Sequence, residues 1–415
     1  MKKLFFLLLT FNLHLLTLFA QTPEVTSWIL NTTDETGYNN IASNVQSVHY
    51  TTTDVYVSAT CIPGYDIGPW TGNPNTPANQ NFVFKITRTP AENTGTKTAT
   101  GLGHIGVWSN GVSIFNAKDA FSYNSQGIWN QDALPNEGAS FDACLGHPAP
   151  NGEYHHHVNP TCLYDDQNSI EHSPIIGYAF DGFPVYGAYA YANTDGSGGI
   201  VRMETSYRLR SITDRTTLPD GTVLSAGQYG PAINTTYPLG KYIEDYEYVQ
   251  GLGHLDEYNG RVCVTPEYPS GTYAYFVSVD EDLVPVYPYT IGKYYYGTVP
   301  SGNTGPGGGH NTIPGNATEY VITTGIEDAS TTLSMTVAVF PNPTQGIINL
   351  SFASGFSAHQ LTLNLMDSKG ALLMQKEITA SNQTLDINNL ADGIYFLNLI
   401  TEEGALYNLK IYKTR

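Results

Sequence analysis

Three consecutive histidines, His155-His156-His157, follow His147 by eight residues, so that four of the chain's 11 histidines lie between positions 147 and 157. On a strand, side chains alternate between faces; His155 and His157 then share one side, and Tyr154 and His156 the other. Two imidazoles at i and i+2 converge on one point, the beginning of a metal site. A third ligand has to come from elsewhere, and His147 can fold back across the Pro/Gly-rich turn between them. Asp181, set in an apolar and aromatic segment, is a further candidate as ligand, as partner of a ligand or as general base; Asp-Gly before Phe-Pro is also an ordinary turn. Tyr154, His156, His172 and His254 are candidates to support the ligands from behind. Imidazole serves copper and zinc alike. Two rival readings stay open: histidines that only satisfy hydrogen bonds, and acid–base catalysis without a metal.

No nucleophile constellation accompanies the cluster, since neither a Gly-x-Ser-x-Gly elbow nor a His-Glu-x-x-His helix occurs. Whether the chain is an enzyme is therefore left undecided. Its catalytic version would be metal-assisted hydrolysis or copper redox chemistry. The alternative is a surface module binding a glycan, a small molecule or a protein, for which the tyrosines at 287, 289 and 294–296 offer a face.

The elements that must position these residues are strands. The chain has 415 residues, 13% of them charged, with 41 glycines, 30 tyrosines and 24 prolines. Short alternating runs such as Val55-Tyr-Val-Ser, Phe82-Val-Phe-Lys-Ile and Tyr273-Ala-Tyr-Phe-Val recur between Gly, Pro, Asn and Asp, which predicts a mainly β chain. Residues 21–300 read as one large, loop-rich β domain, and the Gly-rich stretch 301–335 as a linker. Residues 336–415 carry six further strand patterns, at the spacing of a small Ig-like β-sandwich. Gly101-Leu-Gly-His104 is echoed by Gly251-Leu-Gly-His254, each followed by an Asn-Gly hairpin signal at 110–111 and 259–260.

The address is outward. Lys2-Lys3, an apolar run and Ala20 form a signal peptide over residues 1–20, and no later segment is apolar enough to span a membrane. Removing the two leader lysines takes the formal charge from −19 to −21, which excludes nucleic acid as a partner. Four cysteines in an exported chain favour disulfides. Cys144 and Cys162 bracket the histidine loop and are paired on that ground; Cys61 with Cys263 follows by elimination.

Two resemblances complete the reading. Cys144-Leu-Gly-His-Pro, Gly152-Glu-Tyr-His-His-His157, His172-Ser-Pro through Asp181-Gly-Phe-Pro-Val-Tyr186, Leu255-Asp-Glu-Tyr-Asn-Gly260 and Thr265-Pro-Glu-Tyr-Pro through Phe276 together resemble the YHYH-domain family. His156 stands where the namesake motif has Tyr, while His155 and His157 are retained. That resemblance implies a domain and leaves its activity open. Phe340-Pro-Asn-Pro, Leu385 through Phe396, and Lys410-Ile-Tyr-Lys413 resemble the type IX secretion sorting domain. This implies handling by the type IX secretion machinery and a secreted or cell-surface location.

Overall fold

The computed structural model describes residues 21–305, 307–321, 337–342, 344–352, 361–367, 371–378, 382–400 and 406–414; the leader expected at 1–20 and the end of the expected linker, 322–335, lie outside them. Contacts divide the chain into two units, Met1–Tyr320 and Val321–Arg415.

The first unit is organised by an eight-stranded sheet. Its strands in chain order are β1 (His104–Trp108), β2 (Ser113–Phe115), β3 (His147–Pro148), β4 (Tyr154–His156), β5 (Ile175–Ala179), β6 (Pro184–Tyr186), β7 (Gly260–Cys263) and β8 (Thr272–Phe276). In space they run β7-β8-β6-β5-β1-β2-β4-β3. β1 and β2 form the hairpin expected from Asn110-Gly111. Gly111 sits at φ +81, where an added Cβ would meet that of Ala59 at 2.5 Å, so both conformation and contact call for glycine. The second Asn-Gly pair leads into β7 instead, through a turn in which the Asp256 N–H donates to the Gly260 carbonyl.

A four-stranded sheet, in the order Thr318–Tyr320, Val45–Tyr50, Asp54–Ala59, Phe82–Thr87, packs against the large one. Val55, Val57, Phe84 and Ile86 share one buried core with Val107, Ile114, Tyr178 and Tyr275. The first unit thus runs twenty residues past the boundary expected at 300. Its Gly-rich segment has no apolar side chain to bury, and buried Asn303 holds it in place. That side chain accepts from Lys85 N–H and donates to Lys85 O, pairing with the backbone of strand Phe82–Thr87 as a neighbouring strand would.

The second unit is the predicted sandwich. A three-stranded sheet (Val337–Phe340, Ile347–Phe352, Asn382–Asp386) accompanies a four-stranded one (Leu361–Asp367, Leu372–Ile378, Gly393–Ile400, Leu406–Lys413). Leu363 and Leu365 are buried between half-buried Thr362 and Asn364, the alternation of a strand with one wet face. With Ile348, Leu350, Leu397 and Leu399 they form a core separate from that of the first unit.

Cys144 and Cys162 are joined in a disulfide, with Cα atoms 5.2 Å apart. The expected bond between Cys61 and Cys263 is not formed; both are buried free thiols. Cys263 lies on β7 at one edge of the large sheet, whereas Cys61 donates its S–H to Tyr154 O on β4, six strands away. At about 4.8 Å per strand the two lie on the order of 25 Å apart, well beyond the roughly 7 Å that a disulfide spans. We expect thiol titration of the unreduced, denatured chain to find two reactive thiols, and of the native chain none that react fast. Zero thiols after denaturation would restore the second disulfide.

Candidate metal centre

Strand pairing assembles the site. His147 on β3 lies directly opposite His155 on β4, so both project from the same face. Alternation along the chain adds His157 to that face. The donor atoms of His147, His155 and His157 all lie within 4.8 Å of one another, and all three residues are buried. His155 Nε2 is 3.1 Å from His157 Nε2. Phe115, at the end of β2, stacks on His155 with ring centroids 3.8 Å apart and meets His157 edge-on.

The other ring nitrogen of each histidine is already committed. His155 Nδ1 lies 3.0 Å from Glu153 O, and His157 Nδ1 lies 2.6 Å from Asn116 O. A carbonyl only accepts, so both Nδ1 atoms carry the proton. His147 Nδ1 lies 2.8 Å from Ser140 Oγ, and that hydroxyl donates to Glu137 O. Its proton being spent there, Ser140 accepts from His147 Nδ1–H. All three rings are therefore fixed as Nδ1–H tautomers, with their Nε2 lone pairs turned toward one another. A single proton could bridge two such nitrogens. It would leave the third imidazole unpaired, whereas a metal ion takes all three.

Burial reinforces the availability of these lone pairs. It disfavours the imidazolium form, holding His155 well below the usual histidine range and bringing His147 down to about 4. Glu137 is a fourth group that the sequence reading did not single out. Its Oε2 is 3.3 Å from His157 Nε2 and 3.6 Å from His147 Nε2. Burial pushes this carboxyl up; a proton on the His157 or His147 ring outweighs it through hydrogen bond and charge and lowers the pKa, an effect that the neutral rings do not exert. The four residues form one wall of a cavity of about 680 Å³, whose other walls include Phe115, Phe121 and Lys118. An ion held here is accessible to solutes.

The supporting side chains divide by face. Tyr154 and His156 point away from the three ligands into the core, Tyr154 O–H donating to Asp142 and His156 packing against the Trp108 and Tyr154 rings. Asp142 also accepts from Gly68 N–H, Trp70 Nε1–H, Cys144 N–H and Gly146 N–H, and so ties the disulfide loop to β4. His172 is elsewhere, its Nδ1 on Ser173 O and its ring between Tyr186 and Tyr191. His254 pairs with Glu204 on a surface loop. Asp181 does not join the cluster. Its carboxylate accepts from Tyr275 O–H at 2.6 Å, Gly297 N–H at 2.8 Å and Phe183 N–H at 3.3 Å, inside the turn between β5 and β6. Burial raises it to about 6. The apolar surroundings did demand a partner for Asp181, and that partner is a tyrosine. Tyr287, Tyr289 and Tyr295 are likewise core residues, whereas Tyr294 and Tyr296 are half-buried.

Comparison with known proteins agrees with this organisation. Residues 83–288 match the model described as YHYH protein, and residues 338–413 match that of the secretion system C-terminal sorting domain. A comparison with curated proteins finds no match. Three solved structures show local likeness. One is a DUF3244 family protein with an immunoglobulin-like β-sandwich fold from Bacteroides vulgatus, 20% identical, covering 19% of this chain and 83% of that one at TM-score 0.17. Another is CopC from Methylosinus trichosporium OB3b, 19% identical, covering 18% and 89% at TM-score 0.14. The third is PorZ, a surface component of the type-IX secretion system of Porphyromonas gingivalis, 12% identical, covering 90% and 51% at TM-score 0.17.

In the metal-free protein we expect the His147 ring to stay neutral until the pH falls to about 4, against 6.5 for an unperturbed imidazole. We also expect His155 and His157 to show the Nδ1–H pattern in nitrogen-15 spectra. An NMR titration with a His147 midpoint near 6.5, or an Nε2–H tautomer at His155, contradicts the geometry.

Proposed function

We propose that this chain, a YHYH domain followed by a secretion sorting domain, is an exported protein that binds one transition-metal ion through Nε2 of His147, His155 and His157. The sorting domain marks it as secreted or cell-surface cargo of the type IX machinery, and among the described residues no helix is long and apolar enough to cross a membrane. The observation that carries the metal reading is the hydrogen bonding of the three Nδ1 atoms. Each ring has its proton held by Glu153 O, Asn116 O or Ser140 Oγ, which leaves three lone pairs aimed at one buried place. Buried acceptors without a donor are costly, on the order of 1–3 kcal/mol each, and a cation at their meeting point removes that cost.

Imidazole donors without a thiolate or thioether suit zinc and divalent copper. The cavity beside the ion leaves room for a small molecule or water to reach it, where a metal lowers the pKa of bound water and polarises an oxygen donor. In this reading the chain's own residues set the tautomers, pack against the rings through Phe115 and leave one side of the ion facing the cavity.

Elemental analysis of the purified mature protein should find about one zinc or copper per chain. Outer partners of a metal histidine are each worth roughly 10- to 100-fold in affinity, so His155→Ala, which removes a ligand outright, should cost more than 100-fold. Saturation at 100 times Kd stabilises by about 2.7 kcal/mol, which should raise the melting temperature of the native protein by about 4 °C and leave that of His155→Ala unmoved. If the native chain holds no stoichiometric metal and zinc and copper leave its melting unchanged, the histidines are structural. Ser140→Ala, which frees His147 Nδ1 without touching a ligand, should weaken binding about tenfold in a competition titration with a chromophoric chelator.

A further inference from the structure

We infer that Glu137 is the fourth protein ligand of this centre, bound through Oε2, so that the ion sits in a three-nitrogen, one-oxygen set. The inference rests on the reading of the three histidines as a metal site. Two donors bonded to one ion at about 2.1 Å lie about 3.0 Å apart at a right angle and about 3.4 Å apart at the tetrahedral angle. The observed separations are 3.1 Å between His155 and His157, 3.3 Å between Glu137 and His157, and 3.6 Å between Glu137 and His147. These three fall in or near the range of polyhedron edges, while the His147 donor lies within 4.8 Å of the other two nitrogens and draws in as the ion binds.

The same distances separate a ligand from a general base. A base acts on a metal-bound water from one hydrogen bond further out, about 2.7 Å beyond the ligand position. A carboxylate oxygen placed there, between two ligating imidazoles, would lie about 4.4 Å from each Nε2. Glu137 Oε2 is about 1 Å too close for that and occupies the ligand position itself.

Local structure holds it there. Glu137 ends the short helix Ala133–Glu137, whose first turn is capped by Asp132 accepting from Leu134 N–H. Asp132 is in turn gripped by Tyr289 O–H. The 3₁₀ turn Gly138–Ser140 follows, and Ser140 Oγ bridges Glu137 O to His147 Nδ1. One turn of chain therefore delivers the carboxylate and orients the imidazole beside it. Closing the set with a carboxylate favours a divalent ion, zinc or Cu(II), over Cu(I), which selects soft thiolate and thioether donors.

The test compares the full-length mature protein with Glu137→Gln and Glu137→Ala. Each is first melted metal-free to establish that it folds, then titrated with zinc against a chelator and loaded with Co(II) as a spectroscopic probe. We expect both variants to lose at least tenfold in zinc affinity and to shift the visible Co(II) bands as an oxygen donor is lost. If the native protein binds metal and both folded variants match it in affinity and Co(II) spectrum, Glu137 is not a ligand and the histidine reading stands without it. If the native protein binds none of zinc, copper and Co(II), the histidine reading fails and the Glu137 assignment falls with it.

Discussion

Everything specific about this molecule depends on where three imidazole protons are parked. A histidine with a free Nδ1–H and one with a free Nε2–H differ little in size or burial, yet they differ completely in what they offer to the space in front of them. Here two backbone carbonyls and one committed hydroxyl take the Nδ1 protons, and the lone pairs are left converging. Moving any one of those acceptors by an ångström or two would let a ring flip or accept, and the convergence would be lost. The acceptors themselves are fixed by other contacts. Glu153 is clamped through its carboxylate by Ser113 O–H at 2.5 Å and by His104 Nδ1 at 2.8 Å, so its carbonyl is held beneath His155.

The large sheet explains how protein groups alone hold such an arrangement. β4 lies between β3 and β2, and its backbone groups pair on both sides. One face of that strand therefore carries Tyr154 and His156 into the core while the other carries His155 and His157 to the cavity. Asp142, with five donors converging on its carboxylate, fastens the loop that precedes β3. The opposition of lone pairs across 3.1 Å is unfavourable in a dry setting, and the fold opposes it with this hydrogen-bonded frame rather than with the metal. A frame built this way needs little reordering to take an ion at this place.

How much of this could be read beforehand follows from the range of each interaction. The pairing of His155 with His157 needed only the two-residue period of a strand, and the return of His147 needed only a turn of Pro and Gly; both were legible. Glu137 was not, because it reaches the site from the end of a five-residue helix within a Leu-Pro-Asn-Glu-Gly run that carries no periodic signal. Asp181 was misplaced for an instructive reason. Its apolar setting does require a partner, but sequence cannot distinguish a metal from Tyr275, which approaches from a strand 94 residues on. The free Cys61 and Cys263 show the same limit: elimination pairs cysteines by count, whereas the sheet separates them by strand order. The sandwich of the second unit was legible almost strand by strand, since its pattern is local alternation throughout.

The division into two units bears on what survives export. Every donor of the centre lies between Glu137 and His157, and every acceptor that orients one lies between Asn116 and Glu153, all within the first unit. The cores of the two units share no residue. Among the described residues the second unit contributes neither a candidate ligand nor an orienting group. The strand that closes the small sheet of the first unit, Thr318–Tyr320, ends where the second unit begins. A cut made after that strand leaves the histidine cluster, its cavity and the frame that fixes its tautomers in one piece. The proposed metal binding therefore rests on the first unit and does not call for the sorting signal to remain attached.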